Sequence, residues 1–153
     1  MKFKIYCIAL LISCLSLTTV SAQSQDEIKL IEKEVMEVAK NWTSAWNGKI
    51  DADKMMALYH PDMKYFWRGT YPPGNYVGFK KFLMENFSQT ATYDISISNP
   101  DVTVIDYTSA IVFFQFNDKN EDPFGSGAAT LVMTKDNSDW KVLYVHESSV
   151  QEQ

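Results

Sequence analysis

The sequence predicts an α+β domain: three N-terminal helices packed in a strongly curved, mainly antiparallel sheet that forms a cone with an internal pocket. Two observations predict it. Apolar residues recur at three- and four-residue steps in the first half of the chain, and at two-residue steps from Thr92 onward. Helices followed by consecutive strands are typical of α+β folds. A twisted sheet wrapped around helices leaves one end open, and that end is a natural pocket.

Residues 1–22 have the pattern of a cleavable secretory signal peptide. Lys2 and Lys4 precede an almost uncharged apolar stretch, which closes with the small residues of Val20-Ser21-Ala22. The stretch is shorter than the roughly 18 residues that a membrane-spanning helix needs. We therefore expect cleavage after Ala22, a periplasmic or secreted location, and no stable membrane span after cleavage.

The remaining residues, 23–153, are expected to form a single domain without disulfides. Both cysteines, Cys7 and Cys14, lie in the leader. A lipoprotein modified at Cys14 is the alternative, but apolar sequence continues beyond that residue. The leader also holds two of the 14 basic residues and none of the 19 acidic ones, so the mature chain carries a net charge of −7. This charge argues against nucleic acid as a partner.

Three helices are predicted from caps and apolar spacing. Ser24 and Glu27 have capping-box spacing, and the helix that they begin carries an apolar stripe as far as Asn47-Gly48. Asp51 can cap a short second helix that stops at His60-Pro61. The third helix carries apolar residues at helical spacing: Phe79, Phe82, Leu83 and Phe87.

The strands are predicted from aromatic content and alternation. Met63 to Arg68 is a compact aromatic strand between the second and third helices, followed by a loop at Tyr71–Asn75. The later strands are bounded by turn-forming residues such as Asn117–Asn120 and Asp136–Ser138. They cover these segments: Tyr93–Ile97, Val102–Val104 after Asn99-Pro100-Asp101, Ala110–Phe116, Ala128–Thr134 and Trp140–Ser149.

This order, with three sequence segments, resembles the SnoaL-like group of the nuclear transport factor 2-like superfamily. The segments are Trp42–Asp51 running into Leu58–Asp62, Gly78 ahead of the third helix, and Trp140–Ser149. The resemblance implies a cystatin-like α+β cone. It implies little about chemistry, because the superfamily includes isomerases, cyclases, dehydratases and non-enzymatic association domains.

The chain departs from the ketosteroid isomerase pattern of that superfamily. Trp42 stands where the resemblance places the isomerase's oxyanion-stabilising tyrosine, and Trp67 stands where it places the aspartate base. An indole donates a hydrogen bond but cannot exchange a proton as a carboxylate does. The isomerase arrangement for proton abstraction is therefore missing.

His146 is the candidate catalytic residue. Strict alternation along the last strand places it on one face with Trp140, Val142, Tyr144 and Ser148. The resemblance points to a pocket-facing histidine, and an imidazole with a pKa near 6.5 could act as a general acid or base. The alternative is a structural histidine tied to a backbone carbonyl.

Aromatic residues are the candidate ligand-binding wall, because their rings stack on flat apolar ligands and their polar edges orient them. Tyr65 and Trp67 are the strongest candidates, while the others could equally be plain core. Arg68, the only arginine, could bind a ligand carboxylate or pair with an acid on the surface, and Asp94 is a weaker candidate for a buried acid. The predicted ligand-binding residues are Trp46, Tyr59, Tyr65, Trp67, Tyr76, Phe114, Phe116, Tyr144 and His146.

No metal or cofactor is predicted. The two histidines, His60 and His146, could be combined only with Asp62 as a candidate set of metal ligands. No cysteines or dense carboxylate cluster would complete such a site. His60 is expected to end the second helix, where its charge would complement the helix dipole. Phosphate-binding glycine loops, nucleophile elbows and CxxC pairs are also missing from the sequence.

Three functions remain open. The first is an exported domain that binds a small, partly apolar molecule in an aromatic pocket. The second is a cofactor-independent isomerase, cyclase or dehydratase that uses His146, with a tyrosine hydroxyl orienting the substrate. The third is an interaction module that forms a homodimer through an open sheet face, for which the apolar candidates are Val112, Phe114, Val132 and Leu143.

Overall fold

A computed structural model describes residues 24–67, 75–87, 93–119 and 126–149. Three helices and five strands occur in these ranges, and the α+β prediction is confirmed. In chain order they are α1 (Gln25–Ser44), α2 (Ala52–Met56), β1 (Tyr59–Trp67), α3 (Tyr76–Asn86), β2 (Ile95–Asp106), β3 (Ser109–Asp118), β4 (Gly127–Asp136) and β5 (Asp139–Ser149).

The five strands form one curved sheet in the order β1-β5-β4-β3-β2. Three of the four neighbouring pairs are antiparallel, and only β1 and β5 run parallel. Helix α1 packs on the concave face against β2, β3 and β5, while α3 packs against α2 and β1. Curvature around the helices gives the predicted cone.

Helix α1 begins as its sequence predicts. The Ser24 side chain accepts a hydrogen bond from the Glu27 backbone N–H, and the Glu27 carboxylate accepts one from the Ser24 backbone N–H. This reciprocal pair satisfies two donors that a helix start leaves open. The buried stripe then runs along the helix to its last turn, where it includes Trp42 and Thr43.

The second helix is shorter than predicted, and His60 does not end it. Helix α2 ends at Met56, and His60 is already the second residue of β1. Its Nδ1 accepts a hydrogen bond from the Asp62 backbone N–H at 3.1 Å. Proline has no backbone N–H to donate to a neighbouring strand. Because β1 is an edge strand, this lack is tolerated, and Pro61 does not prevent a strand there.

Strand β2 is continuous where the sequence suggested an interruption. Its register against β3 shifts between Ser98 and Asp101, and Asn99 takes a left-handed conformation with φ of 48°. A bulge of this kind absorbs a turn-forming residue and a proline within an edge strand. The segment at Asn99-Pro100-Asp101 therefore bends one long strand rather than separating two.

A second bulge, in β5, decides which side chains face the core. Val132 of β4 lies opposite Tyr144, but the next residue, Met133, lies opposite Val142. Leu143 is therefore an extra residue, and the inward face changes parity at this point. Val142 precedes the bulge and Val145 follows it, and both are fully buried.

The core lies between α1 and the concave face of the sheet. Val112 and Phe114 of β3 are completely buried within it. They cannot belong to an outer interface between copies of the chain, so this part of the dimer prediction is wrong. The other two candidates for that interface, Val132 and Leu143, are half-buried.

Several predictions fall outside the described residues. These are the signal peptide at residues 1–22, the loop at Tyr71–Gly74, the position of Arg68 and the side chain of Trp67. In the part of the chain that the structure does describe, no helix is long and apolar enough to cross a membrane.

Candidate functional site

A narrow cavity lies between α1, α3 and the concave face of the sheet. Its volume is about 60 Å³. Among the described residues that line it, five are buried and form its inner wall: Trp42, Thr43, Trp46, Tyr65 and Phe79. Six others are half-buried and lie toward its opening: Phe82, Phe87, Tyr93, Ile95, Phe116 and Glu147.

The end of α1 and the turn that follows it supply one wall of the cavity. Trp42 lies in the last turn of α1, whereas Trp46 lies two residues beyond the end of the helix at Ser44, which is earlier than the predicted end at Asn47-Gly48. Their rings meet edge to face with centroids 6.0 Å apart, and Trp46 meets Phe87 in the same manner at 5.8 Å. These edge-to-face contacts fix both indoles.

The opposite wall comes from β1 and α3. Tyr65 stacks on Phe79 with ring centroids 4.7 Å apart and planes inclined by 24°. Phe79 also stacks on Phe82, which meets Phe87 at 5.6 Å. A continuous chain of aromatic rings thus runs from the floor of the cavity to its opening.

Asn47 holds the rim together. Its side-chain amide donates to the Ile95 carbonyl at 3.0 Å, and its Oδ1 accepts from the Ile95 backbone N–H at 2.6 Å. The Gly48 N–H also donates to the Tyr93 carbonyl. Paired hydrogen bonds of this kind keep the start of β2 against the end of α1, and so keep Ile95 and Tyr93 at the opening.

The indole N–H groups of Trp42 and Trp46 have different environments. Nε1 of Trp42 donates to the hydroxyl of Tyr59 at 2.6 Å. Nε1 of Trp46 is buried and has no acceptor among the described residues. A buried donor without a partner costs about 1–3 kcal/mol.

Tyr59 lies behind the cavity wall and is fully buried. Burial raises the pKa of its hydroxyl well above the usual range, while the hydrogen bond from Trp42 acts in the opposite direction. The nearby charge of Glu147 raises this pKa further. Tyr59 is therefore neutral at any physiological pH. Its hydroxyl braces Trp42 and does not act as a base.

Glu147 is the acidic residue at the cavity, and the sequence pattern did not reveal it. The bulge at Leu143 turns Glu147 to the concave side of the sheet, opposite Ala129 of β4. It is half-buried at the opening. Strict alternation would have placed it outside, because a local count cannot detect one extra residue.

The same bulge turns His146 outward, so the prediction that it faces the pocket is wrong. His146 is exposed and does not line the cavity. Its ring lies 5.2 Å from that of Phe66 on the outer face of the sheet. An imidazole on this face lies away from the cavity in which the sequence placed its acid–base role.

The remaining predicted residues divide between wall, core and outer face. Trp46 and Tyr65 line the cavity, and Phe116, predicted with the same group, lies at its opening. Phe114 is buried behind Trp42, with ring centroids 5.9 Å apart. The Tyr76 hydroxyl donates to the Met56 carbonyl at 3.1 Å and is not a wall residue.

Tyr144 lies with His146 on the outer side of the bulge and does not line the cavity. Asp94 is also exposed and pairs with Lys119 at 3.2 Å, so it is not a buried acid. Within residues 24–67, 75–87, 93–119 and 126–149, no group of three His, Cys, Asp or Glu side chains could hold a metal ion.

Comparison with models of protein families gives a match over most of the chain. The model of the SnoaL-like domain matches residues 35–152, which include every residue that lines the cavity. The comparison with curated proteins finds no match.

Solved structures with the same fold are distant in sequence. A candidate scytalone dehydratase from Novosphingobium aromaticivorans is 14% identical, with 84% of this chain and 89% of that chain covered at a TM-score of 0.71. An NTF2-like protein of unknown function from Pseudomonas putida is 16% identical, with 81% and 89% covered at 0.68. A protein of unknown function with a cystatin-like fold from Nostoc punctiforme is 14% identical, with 79% and 92% covered at 0.64. Identities this low support the fold alone.

Proposed function

We propose that this chain, which belongs to the SnoaL-like domain family, binds a small, partly apolar molecule at the aromatic cavity of its cone. The observation that carries the proposal is a partly open cavity with aromatic walls, which the half-buried acidic residue Glu147 also lines. Apolar walls with a few polar groups are the usual composition of small-molecule sites.

The size of the cavity limits what enters it. Pockets that enclose a drug-sized ligand measure about 300–1,000 Å³, whereas this one measures about 60 Å³. The rings of Trp46 and Tyr65 are buried in its inner wall. We therefore infer that only a small apolar end of the ligand enters the cavity, while the rest lies across the half-buried rings at the opening.

Narrowing the opening should weaken binding. In Ile95→Phe a larger side chain stands at the rim without changing the backbone bonds to Asn47. Ligand-observed NMR titrations with benzyl alcohol, cyclohexanol and indole should show binding to the wild type. The variant should bind each probe at least tenfold more weakly, a loss on the order of 1.4 kcal/mol in binding free energy. Ile97→Phe is the matched control, because Ile97 is half-buried in the same strand but does not line the cavity.

Two outcomes of this experiment would count against a binding site. Equal binding by wild type and Ile95→Phe would place the ligand elsewhere, and no binding of any probe by a folded wild type would remove the proposal.

An enzyme is the second candidate, and Glu147 is the observation that favours it. A carboxylate at the edge of an apolar cavity can act as a general base or acid. The role assigned to His146 in the sequence would then fall to Glu147. The same NMR samples distinguish the two functions, because a binder returns the probe unchanged whereas an isomerase or dehydratase produces new resonances with time.

We also propose that the domain works outside the cytoplasm, after cleavage of residues 1–22. The charge pattern and the small residues at Val20-Ser21-Ala22 support this proposal. The start of α1 agrees with it, because its capping serine lies only two residues after Ala22. Intact mass measurement of protein secreted by a bacterial host should give a chain that begins at Gln23. A retained leader, or a lipid mass attached to Cys14, would contradict this cleavage.

A further inference from the structure

The cavity is too small to enclose a six-membered ring. An apolar protein cavity of about 150 Å³ holds benzene, whereas this cavity measures about 60 Å³. In proportion, its volume corresponds to roughly two to four carbon atoms rather than to all those of a benzene ring. A chain can insert that many carbons and leave its remainder at the opening, but a ring has no such narrow end.

The inner wall resists expansion, because its rings hold one another in place. Tyr65 stacks on Phe79 with ring centroids 4.7 Å apart. The ring of Trp42 lies 6.0 Å from that of Trp46 and 5.9 Å from that of Phe114, between centroids. Close-packed interiors yield little, and moving one ring to admit a larger group would break its contact with the next. The present volume therefore limits the group that enters.

The inner wall also favours a hydrocarbon end over a polar one. Nε1 of Trp42 already donates to the Tyr59 hydroxyl at 2.6 Å. The Thr43 hydroxyl donates to the Ala39 carbonyl within α1 at 3.0 Å. Each of these groups has one hydrogen, so neither has another to donate to a ligand. A polar group brought to this depth would lose bonds to water without these replacements, and it is therefore expected to stay at the opening.

Aromatic walls by themselves favour an aromatic ligand, so the two effects have to be compared. A favourable pair of rings strengthens an interaction about twofold to tenfold beyond the area that it buries. Each methylene group moved from water into an apolar site strengthens binding about fourfold, so an end of even two carbons gains about 16-fold. Entry of a chain therefore outweighs ring contacts that are confined to the opening.

We propose that the cavity selects ligands with an acyclic aliphatic end of roughly two to four carbon atoms, whose polar group remains at the opening. This inference rests on the proposed binding function and names the ligand class for the same site. It implies that a chain reaches the inner wall at Trp46 and Tyr65, whereas a ring with the same number of carbons stays at the opening.

Hexan-1-ol and cyclohexanol test the proposal, because they have the same number of carbons and one hydroxyl group each. In ligand-observed NMR titrations of the wild type, hexan-1-ol should bind at least about tenfold more tightly than cyclohexanol. Saturation transferred from the protein should be strongest at the terminal methyl group of hexan-1-ol and weakest beside its hydroxyl. Equal affinities, tighter binding of cyclohexanol or benzyl alcohol, or strongest saturation beside the hydroxyl would overturn the proposal.

Thr43→Ile separates entry into the cavity from the general hydrophobicity of the probes. Thr43 is buried in the inner wall, so one additional carbon there takes up part of the cavity. The preference for hexan-1-ol over cyclohexanol should fall at least about threefold, close to the loss of one buried methylene. Val35→Ile is the matched control, because it adds one carbon at a fully buried position of the same helix that does not line the cavity. Equal preferences in the two folded variants would show that the cavity does not set the order.

The outcomes also separate this inference from the binding function. If chain and ring probes bind the wild type equally well and Ile95→Phe weakens both, the site exists and only the preference for an aliphatic end fails. If hexan-1-ol, cyclohexanol and benzyl alcohol all fail to bind the folded wild type, the binding function itself fails. The wild-type titrations decide the proposal even where Thr43→Ile does not fold.

Discussion

Gly127→Ala should destabilise the domain by about 3 kcal/mol or more, the upper part of the range for overpacked interiors. Gly127 begins β4 and is buried against β5. A Cβ at this position would overlap the backbone carbonyl oxygen of Ser148 and lie 3.0 Å from the ring of Phe116. Backbone cannot yield as a flexible side chain can, so the end of β5 would have to separate from β4. Urea denaturation of the purified domain measures the loss.

Gly48→Ala is the matched comparison for this substitution. Gly48 has a φ of 69°, and a Cβ there meets nothing within 4 Å. Only the left-handed backbone disfavours alanine at this position, at a cost of about 1–2 kcal/mol. Equal losses in the two variants would show that the close approach of Gly127 to Ser148 is not limiting. Gly127→Ala should also disturb the position of Glu147, which adjoins Ser148.

Trp42→Phe should cost about 1–2 kcal/mol more than Trp46→Phe, although both changes replace an indole by a phenyl ring in the same wall of the cavity. Trp42 donates a buried hydrogen bond to Tyr59, and its loss leaves a buried hydroxyl without that donor. Trp46→Phe instead removes an N–H that has no acceptor among the described residues. At Trp46 the packing energy that is lost is thus partly offset, because an unpaired buried donor is removed. At Trp42 the loss of a buried hydrogen bond adds to the loss of packing.

The free energies of unfolding of the two variants, measured by urea denaturation under one set of conditions, test this difference. Phenylalanine keeps an aromatic ring at both positions, so the contact of residue 46 with Phe87 is retained in kind. Equal losses, or a larger loss for Trp46→Phe, would mean that the Trp46 N–H has an acceptor in solution. Tyr59→Phe offers a second measurement, because it removes the acceptor of Trp42 without removing an indole.

Local sequence was sufficient for most of the elements. The capping box at Ser24, the apolar spacing of α1 and α3, and the alternation in β3 and β4 all depend on residues a few positions apart. Such patterns are physically local, because a side chain's face follows from the period of its own helix or strand. Errors occurred at boundaries, as at His60, where tertiary pairing of β1 with β5 extends a strand past a proline.

The candidate site could be predicted only in part. Trp46 and Tyr65 were expected in the wall because aromatic residues were concentrated in their segments, and both line the cavity. His146 was assigned inward by counting along β5, and Glu147 was not among the candidates. One extra residue at Leu143 turns His146 outward and Glu147 inward. The residue types around Leu143 do not indicate a bulge.

The sequence by itself determined the α+β class, the family resemblance and the large share of aromatic residues in the interior, because these follow from periodicity and composition. Only the tertiary structure decided that the rings leave a cavity of about 60 Å³ and that Glu147, rather than His146, lies at its opening. The physical reason is that the size of the cavity, and the choice of which β5 side chains point toward it, depend on how strands distant in sequence are aligned. A shift of a single residue in that alignment moves side chains from one face of the sheet to the other.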